Sequence, residues 1–172
     1  MISVNDSPWL SYGVLYLNYM DTYRRLPTRF SLKVGSIVEV RRGRQRYVLV
    51  YRSQARNRGF LEITRGELEH GSLEQNVIRE TREETGLRCR IIRPFLLNFY
   101  LAEKARYADC QIYFICRPIG RVDVTREWRH KDSDPHKHGR RWYTCHFVPV
   151  KQLVPAAFKN GQDVIIRHYL KT

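Results

Sequence analysis

The chain has 172 residues, enough for one domain with a real core and too few for two of ordinary size. An apolar fraction of 42% and an aromatic fraction of 12% exclude a disordered chain. Its 24 arginines and 7 lysines oppose 17 acids, a formal charge of +14. That balance favours an anionic partner, because guanidinium forks match phosphate oxygens in pairs, although an arginine-rich solvated surface would give the same count.

Residues 1–30 are aromatic-rich without a clean period and read as an N-terminal extension of unclear structure. They lack the basic flank and small-residue cleavage site of a secretory signal, and no stretch is apolar for long enough to span a bilayer. A cytoplasmic protein with no membrane contact is expected. "SIVEVRR" and "RYVLVYR", flanking "GRQ", predict a hairpin over about 36–52. Ser72 and Gln75 have capping-box spacing and Gly86 supplies a left-handed stop, so a helix is predicted over 73–85. "CRIIRPFLLNFYL" and "DCQIYFICR" form a second strand pair around "AEKARYA". Residues 117–141 carry too little apolar content for a core element and read as a long basic loop. "RWYTCHFVPV" predicts another strand, and "GQDVIIRHYL" a closing helix with Val164, Ile165 and Tyr169 near one face. Strands and helices interleave, so the class is α/β or α+β in a single domain spanning 1–172. Cys89, Cys110, Cys116 and Cys145 show no CxxC spacing and read as buried reduced thiols.

The helix over 73–85 carries the chemistry. At 100° per residue Leu73, Val77, Ile78, Thr81 and Thr85 share one arc facing the core, and Glu84 falls inside it. Glu80 borders that arc and Glu83 lies beside Glu80. A buried carboxylate loses hydration, Glu80 and Glu84 repel at i and i+4, and all three crowd the negative end of the helix dipole. Glutamates on a helix ordinarily make a solvated face; here their position adds a second reading, since a divalent cation would turn each penalty into coordination.

"RGELEHGSLEQNVIRETREETGL" resembles the signature of the Nudix hydrolases, with Arg79, Glu80, Glu83, Glu84, Gly86 and Leu87 at the specified places and Thr81 at a position for an apolar or small residue. "LEITRG", which contains Arg65, resembles the lead-in of the branch that includes ADP-ribose and nucleotide-sugar pyrophosphatases. The sequence departs from the pattern at Gly71, where a glutamate is usual, and at Thr64, where a proline is usual, so its glycine loop is one residue short. The resemblance implies a Nudix fold, a mixed sheet sandwiched between helices. It further implies hydrolysis of a nucleoside diphosphate linked to X, ADP-ribose or a nucleotide sugar, by metal-activated water. Glu80, Glu83 and Glu84 would hold Mg²⁺ or Mn²⁺, with Glu69 as a further ligand or simply a loop acid. Glu83 and Arg79 are the catalytic candidates in the motif, Arg79 orienting Glu83 at i and i+4. Relatives of this branch include dimers, which leaves a homodimer open.

Outside the motif, Glu127 is the candidate general base, or an acid paired with the arginines around it. Trp128, Phe99 and Tyr100 could stack a nucleobase or serve the core, and Arg65 and Trp128 are the candidate substrate-binding residues. His130, His136 and His138 lack a standard zinc pattern and read as part of a polar loop. Two other functions remain open: an RNA 5′-end pyrophosphohydrolase, which would bind with a steep salt dependence, and a non-catalytic module that binds nucleotide or RNA.

Overall fold

The computed structural model describes residues 29–53, 59–102, 107–133, 141–159 and 161–172; the N-terminal extension up to residue 28, and His136 and His138, lie outside them. Seven strands form one mixed sheet: β1 (Arg29–Arg42), β2 (Gln45–Ser53), β3 (Arg65–Glu67), β4 (Cys89–Ala102), β5 (Tyr107–Pro118), β6 (Trp128–Lys131) and β7 (Trp142–Pro149). Among the described residues two α-helices accompany it, α1 (Leu73–Thr85) and α2 (Gln162–Tyr169). The order is β4-β5-β1-β2-β7-β6, with β3 added beside β1. Among the described strands β1 and β5 run parallel and the other named pairs are antiparallel.

Alternation along the central strands sends side chains to two cores. Ile37, Val48, Val50, Tyr113 and Ile115 meet Ile165, Ile166 and Tyr169 of α2. Val34, Val38, Leu49, Phe114 and Cys116 meet Val77 of α1 on the other face. Strands covered on both sides read as near-continuous apolar runs, which is why "SIVEV", "YVLV" and "IYFIC" stand out. Each fully buried Ile, Val or Phe contributes about 1.5–3 kcal/mol of transfer free energy. The four cysteines are buried and free.

The ends of α1 follow local chemistry. Ser72 Oγ accepts from Gln75 N–H at 3.2 Å while Gln75 Oε1 accepts from Ser72 N–H at 2.9 Å. Gly86, at φ 75°, closes the helix in the left-handed region that glycine enters without a Cβ penalty. The helix is turned relative to the expected arc. Ile78 is 39% exposed and Leu73 is half-buried, while Asn76 and Glu80 lie inside. Polar groups on the facing strands hold Glu84, and the bare Gly66 backbone admits Glu80, which together set this rotation. On α2 the buried residues are Gln162, Ile165, Ile166 and Tyr169, with Val164 only half-buried.

The expected loop over 117–141 is also corrected, because it contains β6. That strand pairs Trp128 with Cys145 and Lys131 with Trp142 at the sheet margin, and its residues alternate between half-buried and exposed. β1 begins at Arg29, inside the span assigned to the extension.

One edge of β1 forks. Lys33, Val34 and Gly35 pair with β3, whereas Glu39 to Arg42 pair with β2. Beyond the fork β2 continues along β7, and Tyr51 bridges Glu62. Gly35 sits at this crowded junction: a Cβ there would lie 2.6 Å from the Thr64 carbonyl oxygen and 2.5 Å from the Tyr113 ring. Gly35→Ala is therefore expected to cost about 1–3 kcal/mol in denaturant unfolding, the range for an overpacked core.

Candidate active site

The fork opens into a cavity of about 380 Å³. Its lining sets carboxylates of Glu62, Glu67, Glu69, Glu80 and Glu84 against Lys33, Arg65 and Arg141, with Tyr51, Tyr143, Ser53 and Gln162 between them. The two motif acids in the cavity are almost fully enclosed, Glu80 at 1% and Glu84 at 4% exposure. Helical spacing places them one turn apart, and the facing strands supply what they need.

Glu84 Oε2 accepts from the Tyr51 hydroxyl at 2.9 Å and from the Arg65 backbone N–H at 3.0 Å. Glu80 lies against the β3 backbone at Gly66, where a Cβ would fall 1.8 Å from the Glu80 carboxyl carbon. Only a residue without a side chain admits the carboxylate here. Below the acids, Thr81 joins Ser36 at 2.9 Å, and Ser36 joins Thr64 at 2.5 Å, in a buried hydroxyl cluster. The threonine that departs from the family pattern thus has a role proline could not fill. Thr81 also donates to the Val77 carbonyl at 2.8 Å, which satisfies its hydroxyl within the helix.

Arg79 organises the acids from outside. Its guanidinium lies 2.9 Å from Glu80 Oε1, 2.9 Å from Glu83 Oε2 and 3.4 Å from Glu69 Oε1, and donates to the Glu67 carbonyl at 3.1 Å. Partial burial disfavours its charge, but Glu80, Glu83 and Glu69 outweigh that and raise its pKa. Asn76 completes the clasp, accepting from Arg79 at 3.0 Å and from the Glu69 N–H at 3.0 Å.

The structure brings together Glu69, Glu80, Glu84 and Arg65 in one cavity. Glu83 is one step outside, lining a separate hollow with Gln75, Ile78 and Arg82. Trp128 is elsewhere: its indole N–H donates to the Thr85 carbonyl at 2.9 Å, and it borders another cavity with Gly86, Arg121 and Arg126. Glu127 is exposed just before β6 and does not line the acidic cavity. Phe99 is exposed on β4. Tyr51, Tyr143, Lys33, Glu62 and Arg141 are functional candidates that the sequence reading did not name. Of these only Glu62 had a signal, as the acid opening "EITRG".

Among the described residues, no three acidic, histidine or cysteine side chains stand at spacing to hold a metal ion. The donor set nevertheless suits Mg²⁺ or Mn²⁺ in kind, since every acid in the cavity offers carboxylate oxygen and none of the lining residues is a cysteine or histidine. Cys145, which donates to the Glu84 carbonyl at 3.8 Å, is held as an inert thiol: burial, then Glu84 and Glu127, push its pKa up to about 12.

A mixed sheet between helices, forked over an acid-lined cavity on a doubly capped helix, defines an α+β scaffold with a polar site. The model of the NUDIX domain matches residues 32–169, and the chain belongs to that family. Among solved structures, a NUDIX hydrolase from Nitrosomonas europaea is similar at 16% identity and TM-score 0.58, covering 87% of this chain and 73% of its own. A MutT NUDIX hydrolase from Burkholderia pseudomallei is similar at 12% identity and TM-score 0.60, covering 81% and 98%. A UDP-X diphosphatase is similar at 12% identity and TM-score 0.55, covering 89% and 66%. At these identities the likeness is one of fold. Comparison with curated proteins yields no match.

Two outcomes follow from this geometry. Gly66→Ala displaces the Glu80 carboxylate and lowers any activity of the cavity, while circular dichroism shows α1 retained. The second concerns alkaline pH. Burial, then Glu84 and Glu62, hold the Tyr51 phenol well above its ordinary 10.0, and burial pushes Tyr113 up to about 12. Raised folded values mean that the stability these phenols contribute is complete below about pH 10 and is lost as pH climbs toward the folded values. In an absorbance titration these tyrosinates appear only with unfolding; a folded protein whose tyrosines all ionise near pH 10 would contradict the assignment.

Proposed function

We propose that this NUDIX protein is a metal-dependent pyrophosphohydrolase that cleaves the diphosphate of a nucleoside diphosphate linked to X, with ADP-ribose or a nucleotide sugar as substrate. One observation carries the reading: Glu80 and Glu84, buried side by side on the motif helix, face Lys33, Arg65 and Arg141 across a single cavity. An acidic wall opposite a basic one suits a cation and a diphosphate together, and suits neither an apolar ligand nor a lone anion. The UDP-X diphosphatase among the similar structures accords with that substrate class.

Glu69, Glu80 and Glu84 would hold Mg²⁺ or Mn²⁺, with Glu83 joining them if Arg79 releases it. When bound, the metal neutralises phosphate oxygens and acidifies a water for attack at phosphorus. The chain's own residues do the rest. Arg65 and Arg141 take phosphate oxygens through paired N–H groups. The Tyr51 hydroxyl and the Arg65 N–H fix the Glu84 carboxylate, and Arg79 spaces Glu69, Glu80 and Glu83 so that their repulsion is offset. Tyr51 and Tyr143, with ring centroids 4.7 Å apart, wall the cavity on one side. Since Glu127 stands outside the cavity, the proton acceptor is drawn from the cavity acids, of which Glu67 and Glu69 are exposed.

A second reading, a non-catalytic module that binds nucleotide or RNA, has one observation in its favour: Arg79 gathers Glu69, Glu80 and Glu83 around a guanidinium. Release of AMP from ADP-ribose, and of phosphate from triphosphorylated RNA, with and without Mg²⁺ separates the two. Turnover requires the metal, falls by about 10–100-fold in Arg79→Gln, where the acids lose their common partner, and at least as far in Glu84→Gln. Glu127→Gln retains the wild-type rate. Tight nucleotide binding with no turnover on any substrate would establish the module instead.

A further inference from the structure

At the end of the sheet opposite the cavity, five arginines share the α2 face. Arg41 stands directly opposite Arg46 across β1 and β2, and Arg90 directly opposite Arg117 across β4 and β5. Arg93, aligned with Ile115, adds a fifth. Like charges placed directly opposite each other on a sheet repel, so two such pairs on one surface are unfavourable on folding grounds alone.

The patch has little internal compensation. Glu39 gives one oxygen to Arg117 at 3.5 Å and the other to the Tyr169 hydroxyl at 2.8 Å. Among the described residues no ion pair joins Arg41, Arg46, Arg90 or Arg93 to an acid. Two of the guanidinium groups already sit against rings, Arg46 over Tyr169 at 5.5 Å and Arg93 over Phe95 at 5.7 Å. Ordering these forks beforehand lowers the entropy lost when they bind.

The arginines extend from β4 to β2, three strand spacings or roughly 14 Å. One free phosphate cannot meet cations spread over that width, whereas a phosphodiester backbone presents charges in a row. Along β1, Arg41 is about 26 Å from Lys33 in the cavity, so the patch and the hydrolytic site are separate places. We propose that this arginine face binds the sugar-phosphate backbone of single-stranded nucleic acid without reading its bases.

The test uses the full chain and a fluorescein-labelled oligouridylate of about 20 nucleotides with 5′-hydroxyl ends, which carries no diphosphate, so its outcome is independent of whether the proposed hydrolysis is found. The wild-type protein binds it with log K falling linearly in log salt. Arg41→Gln, Arg90→Gln and Arg117→Gln together weaken binding by roughly tenfold or more at low salt and reduce the salt slope by about 2, near 0.7 for each contact removed. The same variant melts no lower than the wild type, because opposed like charges have been relieved. Glu39→Gln strengthens binding, and ADP-ribose turnover is unchanged in both variants. A flat salt dependence in the wild type, an unchanged affinity in the triple variant, or binding to phosphatidylglycerol vesicles with none to oligouridylate would overturn the proposal.

Discussion

Two carboxylates buried one turn apart on a helix decide much of this structure. Glu80 and Glu84 lose nearly all contact with water, a cost that no isolated amphipathic segment would bear. Partners on other elements offset it. Tyr51 reaches Glu84 from the end of β2, the Arg65 N–H reaches it from the start of β3, and Arg79 ties Glu80 to Glu83 and Glu69. Hydrogen bonds to a charged group contribute about 1.5–3 kcal/mol each, so those from Tyr51 and the Arg65 N–H offset part of the cost of burying Glu84. Removing any one partner would leave a buried acid under-compensated, which makes the surroundings of α1 less tolerant of change than its solvent face.

The fork in the sheet follows from the same requirement. A β1 edge paired with β2 throughout would leave no space between strand and helix for acids. By yielding Lys33 to Gly35 to β3 and keeping β2 only from Glu39 onward, the sheet brings Gly66 beneath Glu80 and swings Tyr51 over Glu84. Close approach at Gly35 and Gly66 fixes the spacing of β1, β3 and α1. The hydroxyls of Ser36, Thr64 and Thr81 fill the remaining gap with mutual hydrogen bonds, so the base of the cavity is polar and still satisfied.

What could be read in the sequence was what local chemistry determines. The limits of α1 were legible because Ser72, Gln75 and Gly86 act within a few residues of one another, and the buried strands because they are apolar on both faces. The acids of the helix were legible as a conflict between charge and an apolar arc. Its rotation was not: Ile78 turns outward and Glu80 inward because Gly66, on a separate strand, has no side chain to block the carboxylate. The edge strand β6 escaped notice because half of its residues face water and need no apolar pattern. Tyr51, Lys33 and Arg141 join the cavity from positions far apart in the chain, through a parallel β1–β5 pairing and the β2–β7 ladder that no short-range signal announces. Trp128 looked like a stacking platform by residue type, but the open carbonyl of Thr85 at the helix end claims its N–H.

A net charge of +14 surrounds a cavity whose own acids outnumber its cations, and this inversion bears on how a phosphate ligand would be drawn in. At physiological ionic strength exposed charges are screened over about 8 Å, so an arginine face roughly 26 Å along β1 exerts little pull at the cavity. Attraction of a phosphate ligand there would rest on Lys33, Arg65 and Arg141, and on neutralisation of the acids by a cation. Arg65 illustrates the balance: burial disfavours its charge, while its neighbours, the acids Asp109 and Glu62 among them, more than restore it, so the guanidinium stays charged in the wall. A diphosphate arriving without a cation would meet five carboxylates, whereas one arriving with a cation would find both walls complementary. On the proposed reading, the electrostatics of the cavity would therefore favour metal and diphosphate together over either alone, independently of the charge carried by the rest of the surface.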